Sequence, residues 1–523
     1  MRLRKESASL SVRLFRARRF EPLGVEPLGK LRRPASRLLA AVLAAALGLA
    51  QPVALAQYAN LPRLGDAAAD ELSPALERRI GEQIIREMRR ERAVADDAEA
   101  NDWLNTFAAR LAATEPARGH SLELFLVRDP TLNAFAMPGG FIGVHSGLIV
   151  AAQSESELAS VIAHEVAHVT QRHIARMLAQ QGQTSVIMLA TMVLAALAAS
   201  SNPQAAAGVA SLGGTFAQQQ MLGFSRDAER EADRLGLDML EGAGFDTNGM
   251  GGLLTRLQSA NRMYETGAPD YLRSHPITSE RIADVQNRLR ETRYRQRPDS
   301  IEFRLIQARL RALTNTDPDA LRQAAARFER QLRDRTVDVA AGWVGLAAIR
   351  HAQRDASGAR KALDQVRASI GAHPFVERLA AQVELDDGKP ERALALANAA
   401  LAANPGSTAL IQLKARALLA LGDDREAADF LSEALRTRRG DPELFRLQAE
   451  AWSRLGDDAR AHRAAAEQFA LLGGLPAAID QLRRARQSAT RDYYTGSQVD
   501  ARLRELQAQY LQEQQDRKQM GGR

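Results

Sequence analysis

Ser154-Glu155-Ser156-Glu157-Leu158-Ala159-Ser160-Val161-Ile162-Ala163-His164-Glu165-Val166-Ala167-His168 holds a helix start, an apolar stripe and two histidines four residues apart. Ser154 with Glu157 three residues on is the pattern of a capping box, which satisfies the free amides of a helix's first turn. Leu158, Val161, Ile162, Val166 and Val169 fall on one stripe at helical spacing. The pattern predicts a long helix beginning at Ser154. Positions i and i+4 share a helix face. His164 and His168 can therefore hold one zinc ion, with Glu165 close enough to act on its water.

Upstream the apolar period changes from helical to alternating. Leu122 to Val127 reads as a strand, and Asn133 to Met137 follows it. Pro138-Gly139-Gly140 is a turn, and Phe141 to His145 is a further β segment. Before these, Ser73–Arg92 and Trp103–Ala113 show helical spacing. Downstream, Ser185 to Ala199 is apolar but shorter than a membrane span requires. It reads as half of a buried helical hairpin, or as a flap beside the site that faces the membrane.

Two imidazoles do not complete a catalytic zinc site, which takes three protein ligands and a water. The next capped helix, from Ser225 to about Leu240, carries Glu229, Glu231 and Asp233. Glu229 and Asp233 share a face, so Glu229 could ligate while Asp233 accepts the outer N–H of a histidine. From spacing alone Glu231 could equally be the ligand. A purely structural zinc is disfavoured, because such sites are closed and usually cysteine-rich, and the chain has no cysteine. On a continuous helix His173 lies about 140° round from His168 and cannot share its metal. It reads as a bystander, as do His120, His351, His373 and His462.

From residue 300 the pattern is helical and repetitive. Gly388, Gly422 and Gly456 are 34 residues apart, and so are Ala359, Ala393, Ala427 and Ala461. Ala347, Ala381, Ala415 and Ala449 form a second series in register. A 34-residue helix–turn–helix period is that of tetratricopeptide repeats. A small residue on each helix lets the pair approach closely. Five or six units are expected to about 510, with Gln498 to Gln515 as a cap. Such a solenoid offers a concave surface to partners.

The chain has 523 residues and a formal net charge of +7, which alone would suggest nucleic acid as a partner. Residues 1–56, however, hold eleven Lys and Arg against three acids, so the remaining 467 residues sum to −1. No nucleic-acid partner is expected. Arg32, Arg33 and Arg37 precede the apolar run Leu38 to Ala50, and Ala54-Leu55-Ala56 is a small-residue cleavage site. This is the form of an export signal, and it predicts a periplasmic protein; with no cysteine in the chain, no disulfide stabilises it.

His164-Glu165-x-x-His168, followed by Ser225-Arg226-x-x-Glu229-x-Glu231-Ala232-Asp233, resembles the zinc peptidases related to the CAAX prenyl protease. Leu61-Pro62-x-x-Gly65, Asn133-Ala134-Phe135-Ala136 and His275-Pro276 extend the resemblance. The soluble periplasmic branch with a tetratricopeptide tail is the most similar. The resemblance implies His164, His168 and Glu229 as zinc ligands, Glu165 as general base and His275 as a fourth, gating ligand. It implies Phe141, Ile142, Gly143, Val144 and His145 as a substrate-facing edge strand. The expected fold class is an α+β zincin-type metallopeptidase domain, mostly helical with a small sheet, followed by an all-α solenoid. The expected organisation is a signal peptide over 1–56, a peptidase domain over 57–295 with an apolar hairpin at 183–224, and repeats over 296–523. Expected substrates are unfolded or stalled outer-membrane proteins. The resemblance implies the β-barrel assembly machinery and the lipopolysaccharide-transport barrel as partners, with peripheral membrane contact. The alternative is a chaperone or scaffold acting mainly through its repeats.

Overall fold

The structure is a computed structural model and describes residues 73–181, 225–263, 270–291, 297–489 and 493–519. The expected leader and the apolar hairpin 183–224 lie outside the described residues. All described residues belong to one compact unit running from Leu61 to Arg523. No described helix is long and apolar enough to cross a membrane.

Two helices open the described chain, α1 (Pro74–Arg90) and α2 (Ala98–Ala112). Each starts on a side-chain cap: Ser73 accepts the Leu76 amide and Asp97 accepts the Ala100 amide. Three strands follow, β1 (Glu123–Val127), β2 (Ala134–Met137) and β3 (Phe141–His145). The sheet order is β1-β3-β2, with β3 parallel to β1 and antiparallel to β2. Phe141–His145 is therefore the central strand, not the expected edge. All five of its residues are buried, whereas Phe135 and Ala136 of β2 are half-exposed. A near-continuous apolar run is the signature of a strand covered on both faces. The β2–β3 hairpin turns through Gly139 and Gly140, both at positive φ. A side chain at Gly139 would come within 2.6 Å of Arg78 Cα on α1.

After the short α3 (Ser146–Ala151) comes α4 (Glu155–Thr170), the predicted histidine helix. Ser154 Oγ accepts the Glu157 amide at 3.1 Å. The Glu157 carboxylate takes the Gln153 amide and Arg256 instead of closing the expected box on Ser154. Every residue from Glu155 to His168 is buried. The helix packs against β2 and against α6 (Arg226–Gly242) and α7 (Asn248–Met263), with α5 (His173–Gln181) following it in the chain. Each fully buried Leu, Ile or Val contributes about 1.5–3 kcal/mol, which offsets the cost of burying two histidines and a glutamate beside them. The short α8 (Asp270–Ser274) and α9 (Ser279–Glu291) complete this part.

The rest is helical. In chain order it comprises α10 (Ile301–Ala312), α11 (Pro318–Arg333), α12 (Val339–Ala352), α13 (Ala356–Ile370), α14 (Pro374–Asp386) and α15 (Pro390–Ala403). Then come α16 (Thr408–Leu421), α17 (Asp424–Ala434), α18 (Pro442–Arg454), α19 (Asp458–Leu471), α20 (Leu475–Ser488) and α21 (Tyr493–Gln519). They form six helix pairs. Ala347, Ala381 and Ala415 on first helices, and Ala359, Ala393 and Ala427 on second helices, are fully buried where helices meet. Gly388, Gly422 and Gly456 lie just after α14, α16 and α18 with positive φ, the left-handed ending that glycine adopts without strain. The aromatic positions of the repeat are mostly absent, and alanine and leucine fill the core instead.

Part of the first-helix face of the solenoid is taken by α2. Arg309 of α10 holds Asp97 at 2.8 Å and Glu99 at 3.1 Å, and Arg378 of α14 holds Glu99 as well. Asp102 accepts from Ser407 Oγ and the Ala409 amide at the start of α16. Trp103 stacks on Phe303. The surface expected to be open to partners is thus partly filled by the chain itself. Further along, Arg86 of α1 pairs with Glu513 of α21.

Burial works to raise the Asp97 carboxyl, but Arg309 and the Ala100 amide outweigh it and hold its pKa below the usual value. Arg309→Ala leaves two half-buried or buried carboxylates without this partner, and should lower the unfolding free energy by about 3 kcal/mol at neutral pH. A carboxylate with a depressed pKa adds stability above its unfolded value of about 3.9 and loses it as pH falls through the folded value. The wild-type advantage over Arg309→Ala, read from urea midpoints, should therefore shrink in acid. A gap that stays constant to low pH would contradict this account.

Candidate metal centre

The α4 repeat of 3.6 residues brings His164 and His168 onto one face, with their Nε2 atoms 3.1 Å apart. α6 starts at Ser225, whose hydroxyl accepts the Ala228 amide. One turn in, Glu229 faces the two histidines: each of its oxygens is 3.4 Å from a histidine Nε2, Oε2 from His164 and Oε1 from His168. Gly236 of α6 faces α4, and a Cβ there would rest in contact with the His164 backbone nitrogen at 3.4 Å. His275 arrives at the end of α8. Its Nδ1 is 3.0 Å from Glu229 Oε1 and 3.3 Å from His164 Nε2, and its Nε2 is 3.2 Å from Glu165 Oε1. Tyr271 stacks on its ring. The donor atoms of His164, His168, Glu229 and His275 all lie within 4.8 Å of one another, and all four residues are buried.

This donor set fits a divalent cation. Three imidazoles and a carboxylate converge in a buried space, and nitrogen with carboxylate oxygen is what zinc takes. The balance of charge agrees. Burial opposes a proton on His164, yet Asp233 and Glu229 overcome it and push its pKa up to about 10. The cluster therefore attracts positive charge at this point. Burial holds His168 well below its ordinary value, the neutral form a ligand needs. Burial also works to raise Glu229, but His275, His164 and His168 keep it well below the carboxylate range. Burial raises Glu165.

Behind the donors stands a second layer. His164 Nδ1 meets Asp233 Oδ1 at 3.0 Å. Arg281 of α9 grips Asp233 with Nε and Nη2 at 2.8 and 2.9 Å, and reaches Glu229 Oε2 with Nη1 at 2.6 Å. Nothing in the sequence pattern marks Arg281, six residues past His275. His173 was read as a bystander on the assumption of one continuous helix. Instead α4 ends at Thr170, Arg172 takes a positive φ, and His173 turns back with its Nδ1 2.7 Å from His168 Nδ1. Glu231, the spacing-level alternative to Glu229, meets His173 and Arg176 rather than the cluster. Glu165 Oε2 accepts the Ala136 amide of β2 at 3.0 Å. The sheet edge beside the glutamate is therefore β2. His145 sits at the end of β3 next to Thr131 and edge-on to Phe135.

The profile of peptidase family M48 matches residues 98–289, and a tetratricopeptide-repeat profile matches 384–451. The beta-barrel assembly-enhancing protease of Escherichia coli K12 is 32% identical over 493 residues, covering 91% of this chain and 98% of that protein. The chain belongs to peptidase family M48. A beta-barrel assembly-enhancing protease homologue of Vibrio cholerae is 36% identical over 276 residues, which is 52% of this chain and 56% of the relative. The mitochondrial metalloendopeptidase OMA1 of Schizosaccharomyces pombe is 31% identical over 194 residues, 37% of this chain and 54% of the relative. The first of these spans nearly the whole chain, the other two about half or less. The protein is a metalloendopeptidase, with its M48 segment running from α2 to α9 and repeats behind it.

Arg281→Met would leave Asp233 and Glu229 buried without their shared cation. The metal-free variant should lose about 3–5 kcal/mol of unfolding free energy. Arg281→Lys should recover only part of this, because an ammonium cannot make the paired contact to Asp233. Urea denaturation in the presence of chelator measures both. Wild-type stability in Arg281→Met would show that the guanidinium is not what balances the two carboxylates.

Proposed function

We propose that the chain is a zinc-dependent endopeptidase of the bacterial periplasm, acting on outer-membrane proteins whose assembly has stalled, and gated by His275. The observation that carries the reading is the position of His275, whose two ring nitrogens face Glu229 and Glu165 at 3.0 and 3.2 Å. His164, His168 and Glu229 are the proposed zinc ligands, and Asp233 orients His164. Bound zinc would lower the pKa of a water toward neutrality and polarise the scissile carbonyl. Glu165 would take that water's proton and pass it to the leaving amine. In this reading His275 would take the fourth ligand position, while its Nε2 faces an oxygen of Glu165. It must move before Glu165 can act, which makes a latent protease. An extended peptide would pair along β2, the edge beside Glu165, by strand addition.

The export signal read in residues 1–56 supports the periplasmic location. The names of the relatives support outer-membrane assembly as the setting, and family resemblance adds the β-barrel assembly machinery and the lipopolysaccharide-transport barrel as partners. Residues 57–295 are the proposed peptidase domain and 296–523 the repeat domain. A second reading has its own support: with His275 against Glu165 the site is shut, while the six helix pairs still present surfaces beyond those α2 covers. In that reading the protein is mainly a chaperone or scaffold.

Glu165→Gln should keep about one zinc per chain and lower cleavage of an unfolded outer-membrane protein by about 10²–10⁴-fold. His275→Ala should raise cleavage above wild type. Metal analysis and a cleavage assay on residues 57–523 test both. Equal cleavage by wild type and Glu165→Gln would sink the proposed role of Glu165. Full rescue of an envelope-defective strain by Glu165→Gln would favour the scaffold.

A further inference from the structure

We infer that His173 and Glu231 are positioning residues for His168, together fixing the tautomer that turns a His168 lone pair toward the metal cluster. This rests on the ligand reading above and extends it to two residues outside the donor set.

The argument is one of proton placement. His173 is 3% exposed, with Nδ1 2.7 Å from His168 Nδ1 and Nε2 3.1 Å from Glu231 Oε2. Arg176 holds the same Glu231 oxygen at 2.7 Å. An ionised carboxylate only accepts, so Glu231 requires a proton on His173 Nε2. A neutral imidazole then has its lone pair on Nδ1. That lone pair accepts from His168 Nδ1–H. His168 is left with its own lone pair on Nε2, the atom that faces His164 and Glu229. The reverse assignment would place a neutral His168's proton on Nε2, against the cluster.

His164 is oriented by a shorter route. Its Nδ1 meets Asp233 directly, and Arg281 clamps that carboxylate. Each histidine is thus backed by a carboxylate held by an arginine, and for His168 an imidazole is interposed. The backbone bends to put it there. Arg172 adopts a φ of 50°, a region sparsely used by residues other than glycine. Arg172 is tied to Glu77 of α1 at 2.8 Å. Such a conformation persists when its surroundings over-determine it.

The test uses the full chain, stripped of metal and titrated with zinc against a competing chromophoric chelator. His173→Phe and Glu231→Leu should each weaken zinc binding by about 10–100-fold. The double variant should bind no more weakly than His173→Phe alone, because the two act through one route. His173→Gln, whose amide oxygen can accept the same proton, should recover most of the affinity. Thermal melting of the zinc-free variants checks that each is folded, and if His173→Phe is not, Glu231→Leu carries the same test. Wild-type affinity in a folded His173→Phe or Glu231→Leu, additive losses in the double variant, or no recovery in His173→Gln would overturn the inference. If wild type binds no zinc, or His168→Ala binds it as tightly as wild type, the ligand reading itself fails and takes this inference with it.

Discussion

Buried negative charge is the constraint on which the peptidase half turns. Glu165, Glu229 and Asp233 are all withdrawn from water, and Arg281 is the fixed cation that bridges two of them. Isolated carboxylates in such a place would be expensive. Each therefore has partners. Asp233 has His164 and Arg281, Glu229 has three histidines and Arg281, and Glu165 has the Ala136 amide and His275. The same shortage of positive charge that demands these partners makes the cluster a place for a divalent cation. Stability and metal binding thus come from one electrostatic arrangement.

The arrangement requires rigid neighbours. α4 carries His164, Glu165 and His168 on a helix that is buried along nearly its whole length, so its register is held by packing. α6 packs directly on α4, with Gly236 facing the backbone at His164. β2 brings a backbone amide to Glu165, and its pairing to the interior strand β3 fixes where that amide lies. His275 follows the last turn of α8, where Tyr271 stacks against its ring. It is thus held in place without belonging to the α4–α6 pair.

The repeats are joined to this core through charge as much as apolar contact. The first turn of α2 carries Glu99, after the Asp97 cap, and Asp102 follows a turn later. Arginines of α10 and α14, and the amide end of α16, meet them. α2 thereby meets three of the six helix pairs, the first, third and fourth.

The amino-acid sequence by itself determined the elements that local chemistry specifies. The capped histidine helix, the Ser225 start of the second helix, the Pro138-Gly139-Gly140 turn and the 34-residue repeat were legible, because each depends on neighbours within a few turns of chain. His164, His168, Glu229 and His275 could be singled out by spacing and resemblance. Only the tertiary structure decided that Phe141–His145 is interior, since strand order is set by how the hairpin folds back and not by the strand's own residues. Only it joined Arg281 to Asp233 and Glu229 across 48 and 52 positions of sequence. It also broke the helix at Thr170 and turned His173 toward His168, a bend held by Arg172 and a glutamate 95 residues away. Local pattern writes helices and turns. Which buried charges find one another is settled only when distant segments pack, because a charge's partner in a low-dielectric interior is chosen by space and not by sequence distance.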